Sequence, residues 1–386
     1  MADPAVQNES TDPVKKTNTI EETEIEHIER TETATMASAL EKLRSVYGHP
    51  GPYLSVYLQT LEPDEDPTDG PYLPMDRRWA ALREGLVERN APTEALDAIE
   101  AQLQTQMPED TAGVAIIVAH DGYTIVDYSL EPPRRDFATV ETLPYVAPLL
   151  ETDQYRIPHL VVTIDGQGAE VVEFGVGQRS TPITTLTGGG EELAKAVAAQ
   201  MRDAKTELVV IAGEAQYCRP LSEALTKLAD PECRVVVEDH GSDSTDNPDE
   251  VDTVEELADA TVRYVFDTAA RTTVDHLREF RFLASHRSAV DGVADTIAAL
   301  QAGTPDVLLV HDDPEDLRRV WIGPEPIEVS VEHQEGFDAD ARFVDAAIRS
   351  AVAQSIEVHI IPSTGWTGPQ DNVAALTHNE TLGTIT

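Results

Sequence analysis

Short apolar runs rich in β-branched residues recur along this chain, and amphipathic stretches separate them. Residues 53–58, 113–119, 159–164, 207–213, 234–238, 306–310 and 356–361 each have the length of a buried strand. None approaches the length of a membrane-spanning helix. Between the runs, Leu193, Val197 and Met201 recur at helical spacing. This alternation restricts the chain to layered α/β architecture. Asp121-Gly122 and Asp165-Gly166 supply tight turns, which predicts hairpins 113–119/123–130 and 159–164/169–174.

A chain of 386 residues is long enough for two or three domains. Residues 1–36 form a polar, acidic head with too little apolar surface to order itself. Met36 stands directly before a predicted helix over 37–47, which leaves two readings: an alternative start, or a disordered tail ahead of the first domain. An N-terminal α/β domain is expected over 37–153, with predicted helices over 79–88 and 92–106. A middle α/β domain follows over 154–284, with helices over 191–201, 221–228 and 254–284. Residues 240–252 read as an acidic loop. The expected C-terminal domain, 288–386, combines helices over 289–302 and 338–353 with strands over 306–310, 320–322, 327–331 and 356–361. Gly303 reads as a C-cap, and this order predicts a three-layer α/β/α domain.

The formal net charge is −43, from 71 acidic against 28 basic side chains. Such a charge disfavours membranes and naked nucleic acid at low salt. It fits either an ordinary acidic protein or a cytoplasm of high internal salt, where repulsion is screened over a few ångströms. Cys218 and Cys233 lie in no metal-ligand spacing, which suits a reducing compartment. No apolar segment follows a basic start, so a cytoplasmic location is expected. The 11 histidines fall into no HExxH or HxH pattern, and there is no GxSxG elbow; neither a metal nor a cofactor is expected.

Two features remain as candidate sites. The triplet Gly188-Gly189-Gly190 joins a polar segment, 181–187, to the helix that begins at Glu191. Glycines permit φ > 0 and close backbone approach. The triplet lacks the Lys-Ser/Thr ending of a phosphate loop, and Glu191-Glu192 would repel an anion there. Those two acids suit the positive end of the helix dipole instead. The second feature is the pairing of scarce arginines: Arg77-Arg78, Arg134-Arg135 and Arg318-Arg319. Any one pair reads as a solvated face; together they are candidates for local contacts with RNA phosphate.

The order of these segments resembles the archaeal and eukaryotic peptide release factors and their relative Pelota. More narrowly, it resembles the bacterial homologues grouped with the ribosome hibernation factor Balon. The likeness rests on the hairpin 159–174, the glycine loop 188–190, the strand 208–213 and the stretches 292–300 and 306–313. It is completed by Asp371-Asn372-Val373-Ala374-Ala375-Leu376, which is similar to the family's closing helix signature. Release factors place a glutamine after two glycines to position water for ester hydrolysis; Glu191 follows the triplet here. The resemblance therefore implies a factor without catalysis that occupies the ribosomal A site. Its N-terminal domain would face the decoding centre and its glycine loop the peptidyl-transferase centre. Its last domain would face a translational GTPase such as elongation factor Tu. A ribosome rescue factor or vestigial peptidyl-tRNA hydrolase is the alternative, and an acidic protein-binding adaptor on the same fold is a third. The free protein is expected to be a monomer.

Overall fold

A computed structural model describes residues 39–60, 73–108, 111–129, 132–175, 183–188, 190–231, 233–239, 250–286, 289–313, 316, 318–361 and 369–377. The predicted acidic head and most of the 240–252 loop lie outside the described residues.

The first sheet has the order β3-β2-β1-β4 and is antiparallel throughout. Its strands are β1 (Tyr53–Gln59), β2 (Gly113–Val118), β3 (Thr124–Ser129) and β4 (Phe137–Glu141). Alternation along β1 explains why nearly all of that strand is buried. Leu54, Val56 and Leu58 point to helices α2 (Met75–Glu88) and α3 (Thr93–Leu103), where they meet Trp79, Leu86, Leu96 and Ile99. Tyr53 and Tyr57 point the other way, toward α1 (Ala39–Val46) and α4 (Ala147–Asp153).

The middle sheet has five strands in the order β7-β6-β5-β8-β9. Strands β5 (His159–Ile164), β8 (Leu208–Gly213) and β9 (Arg234–Asp239) are parallel. Strands β6 (Gly168–Phe174) and β7 (Thr184–Thr187) complete it as antiparallel neighbours. One face is covered by α5 (Glu191–Asp203) and α6 (Ala215–Leu228), through Leu193, Val197, Met201, Leu221 and Leu225. The other face receives α7 (Glu250–Ser285) at Ala269. This 36-residue helix is about 54 Å long at the usual rise per residue. It begins four residues earlier than 254, inside the segment read as loop. Arg263, Arg271 and Arg278 on it face Glu238, Asp267 and Asp275 respectively.

The third sheet has the order β10-β16-β11-β15, from β10 (Val290–Asp291), β11 (Val307–His311), β15 (Glu357–Ile361) and β16 (Val373–Leu376). Helices α8 (Val293–Ala302) and α9 (Phe343–Gln354) cover one face, and Leu277 and Phe280 of α7 cover the other. Gly303 does cap α8, with φ +64. A small antiparallel sheet, β13-β12-β14, stands beside it, from β12 (Arg319–Ile322), β13 (Val329–Ser330) and β14 (Ala339–Arg342). Tyr57, Tyr145 and Leu149 share one buried cluster with Val320, Phe343 and Ile348, so the first and third regions have a common core.

The helices expected over 289–302 and 338–353 start later, at Val293 and Phe343, because β10 and β14 occupy their first residues. The closing signature is also corrected. Val373-Ala374-Ala375-Leu376 does not form a closing helix; it is strand β16, paired to β10 and β11 and buried at all four positions. Both neighbours bind its backbone, and packed side chains cover both its faces, so tertiary context overrides alanine's helical preference.

Candidate functional site

Register places the glycine loop. Thr187 pairs with Gly168, Ile164 with Ala169 and with Gly213, and Gly213 with Asp239. The ends of β5, β7, β8 and β9 therefore share one edge of the middle sheet. This is the edge at which open α/β sheets present their ligand-facing loops. Gly213 allows the strands to close up there: its φ is +140, and a Cβ would collide with the carbonyl oxygen of Ile164.

At the loop itself, Gly188 has φ +126 and Gly190 φ +58 with ψ −122. Gly189 lies outside the described residues. A Cβ at Gly190 would meet nothing within 4 Å, and one at Gly188 only the Glu192 carboxylate, at 3.8 Å. The need for glycine is thus conformational, because the surrounding space is open. Both described glycines are exposed.

The chemistry of this edge is acidic. Glu191 Oε1 lies 2.7 Å from Lys195 Nζ, and that hydrogen bond lowers the Glu191 pKa. Asp165 accepts from the backbone N–H groups of Gln167 and Gly168, at 2.7 and 2.9 Å, which lower its pKa. Gln216 Nε2 donates to Glu214 at 2.6 Å. With their pKa lowered in this way, Glu191 and Asp165 make poor proton acceptors near neutral pH. Burial pushes the Cys233 thiol up to about 11, far from a reactive thiolate.

Of the arginine pairs read from sequence, the first is fastened through Asp136, the residue that follows Arg134-Arg135 in the chain. Arg78 Nη1 is 2.5 Å from Asp136 Oδ2, and its Nη2 donates to the Gln59 carbonyl at 2.7 Å. Asp136 Oδ1 accepts from the Gln59 N–H at 2.8 Å. Arg78 therefore fastens α2 to the end of β1, while Arg77 beside it is exposed. Arg134 is half exposed and paired with Glu151; the Arg135 guanidinium lies 5.6 Å from the Phe137 ring centroid. Arg318 and Arg319 are engaged by Asp316, Asp371, Glu141 and Asp340.

Arg134 and Arg135 also border a cavity of about 950 Å³ between the first and middle sheets, which sequence reasoning missed. Its wall includes Phe137, Tyr145, His159 and Phe266. His159 stacks on Phe174 with ring centroids 4.6 Å apart, and burial lowers its pKa. The segments that line this cavity are distant in sequence, so no local pattern announces it.

No family model matches the chain. Two uncharacterized proteins of Mycobacterium tuberculosis, Rv2629 and MT2704, are each 26% identical to it over 204 residues, covering 50% of this chain. The chain spans about half the length of these curated relatives, 51% in each case. Among solved structures, the archaeal translation termination factor aRF1 is 14% identical and aligns over 88% of this chain and 97% of its own, with a TM-score of 0.23. A chain from the ribosome-bound archaeal Pelota and ABCE1 assembly is 14% identical over 89% of this chain and 95% of its own, with a TM-score of 0.40. Pelota of Archaeoglobus fulgidus is 15% identical over 69% and 79%, with a TM-score of 0.32.

Proposed function

We propose that this chain is a ribosome-binding factor of the release-factor and Pelota kind. It occupies the A site of idle or stalled ribosomes, as a hibernation factor, without releasing peptide. The supporting observation is the exposed turn at Gly188 and Gly190, which projects from an α/β edge with open space around it. Where hydrolysis would need a glutamine, Glu191 stands instead, tied to Lys195. In this reading the turn enters the peptidyl-transferase region by backbone fit. The first region faces the decoding centre, and the third engages a translational GTPase such as elongation factor Tu. The setting is the cytoplasm; no described helix is long and apolar enough to cross a membrane.

The test is co-sedimentation with vacant ribosomes. Alanine at positions 188, 189 and 190 adds about 1 kcal/mol of strain for each residue held at φ > 0. The triple variant should keep its circular dichroism spectrum and lose about fivefold or more in ribosome affinity, on the order of 1 kcal/mol. Glu191→Gln should not produce peptide release. Unchanged binding of the triple variant, or robust peptidyl-tRNA hydrolysis by the native protein, refutes the reading.

The arginines allow a separate check. Arg78 holds the fold, so the variant to make is Arg77→Ala, Arg134→Ala and Arg135→Ala. Its binding deficit should be larger at low salt than at high salt, because screening removes the Coulomb part of a phosphate contact. Equal binding by native and variant protein at both salt levels removes these residues from the interface.

A further inference from the structure

His276, Glu357 and His359 come together where α7 crosses the third sheet. Glu357 and His359 are two apart on β15, so their side chains leave the same face of the strand. Ile361, next on that face, packs with Leu277 and Phe280 of α7. This packing brings His276, the residue before Leu277, over the strand. The three side chains each offer one ligand atom, and these atoms lie within 4.8 Å of one another.

The local hydrogen bonding is incomplete. The Nε2 of His276 is buried and has no hydrogen-bond partner among the described residues. It lies 3.3 Å from Glu357 Oε1, but not in hydrogen-bond geometry. The His359 ring is 4% exposed, and its Nε2 lies 2.8 Å from Thr273 Oγ1, which fixes the ring. Ring centroids of the two histidines are 4.8 Å apart.

We propose that His276, Glu357 and His359 form a binding site for a divalent transition metal, with Zn²⁺ the best fit, that clips α7 to the third sheet. Two imidazoles and one carboxylate suit such an ion better than Mg²⁺ or Ca²⁺, which favour all-oxygen sets. Bonds of about 2.0–2.2 Å bring ligand atoms to about 3.3–3.6 Å from one another in a tetrahedral site. Glu357, whose side chain is 56% exposed, already places Oε1 3.3 Å from His276 Nε2, at that spacing. That exposure leaves the fourth position to water.

The test uses the full chain after treatment with a chelator. Calorimetry with Zn²⁺ should show one site, and thermal unfolding in saturating Zn²⁺ should rise by about 3 °C or more. Mg²⁺ at the same concentration controls for the many surface carboxylates and should produce less than half of that rise. Co²⁺ should give the visible absorption of a nitrogen-ligated, low-coordinate ion. His276→Ala and Glu357→Gln should each weaken Zn²⁺ binding at least about tenfold. The proposal is overturned if native protein binds no Zn²⁺, if both variants bind as tightly as native, or if Co²⁺ shows only its aqueous spectrum. Glu357 is exposed, so its variant tests the site even if His276→Ala fails to fold, and the cobalt spectrum needs no variant.

Discussion

Arg342→Ala should lower the unfolding free energy by about 3–5 kcal/mol, the range for breaking a buried ion pair from one side. Arg342 is placed between two carboxylates, with Asp312 Oδ1 at 2.7 Å and Asp345 Oδ2 at 3.0 Å. Side-chain exposures are 10% for Arg342, 9% for Asp312 and 2% for Asp345. The guanidinium also lies 4.3 Å from the Tyr145 ring centroid, and the Tyr145 hydroxyl donates to Asp312. Removing the arginine leaves both carboxylates buried in the core shared by the first and third regions. Urea unfolding followed by circular dichroism measures the loss. If Arg342→Met is combined with Asp312→Leu and Asp345→Leu, most of that loss should disappear, because no charge then remains buried.

The same cluster sets a dependence on pH. Burial pushes Asp345 up to about 7, with Arg342 pulling the other way. Between about pH 4, where an unfolded aspartate titrates, and pH 7, the folded protein holds a proton that the unfolded chain has released. This contribution to stability is complete on the acid side and is lost as pH rises through about 7. Without Arg342, the charged form of Asp345 is still less favourable. Arg342→Ala should therefore lose more stability at pH 8 than at pH 6. An equal loss at both values would show that Asp345 does not carry the proton.

Asp127→Asn should have a similarly large effect, about 3–5 kcal/mol. Asp127, on β3, is the common anion for Lys42 of α1 and for Arg156 in the connection into β5. Arg156 Nη2 lies 2.6 Å from Asp127 Oδ2, and the exposures of Lys42, Asp127 and Arg156 are 9%, 7% and 6%. Asparagine keeps the size of the side chain and removes the charge, so two buried cations, Lys42 and Arg156, lose their shared counterion. Asp153→Asn is the control: its contact with Arg156 is longer, at 3.4 Å, and its side chain is 21% exposed. That variant should lose less than about 1 kcal/mol. Comparable losses in the two variants would mean that Asp127 is not the anchor.

The strands and their turns were legible because their signal is local. In 208–213, consecutive β-branched residues bury both faces of a central parallel strand, and in 159–164 Val161 and Val162 are buried on opposite faces. Asp165 closes its turn with its own carboxylate. The glycine turn and the helix after it were legible for the same reason: φ > 0 and four-residue spacing are properties of a few neighbouring residues. Short strands beside helices were not legible. Val290-Asp291 and 339–342 merge with α8 and α9 in any helical window, and Thr184–Thr187 reads only as a polar segment. Val373–Leu376 carries too few residues to show a period, and its strand form comes from the two strands that flank it. Sequence likewise could not separate Arg77 from Arg78, which differ only in the direction each takes from α2. Nor could it join His276 to Glu357 and His359, or Arg342 to Tyr145. Contacts of that kind are fixed when distant segments exclude water together, so their energies depend on burial and geometry that no single stretch of chain contains.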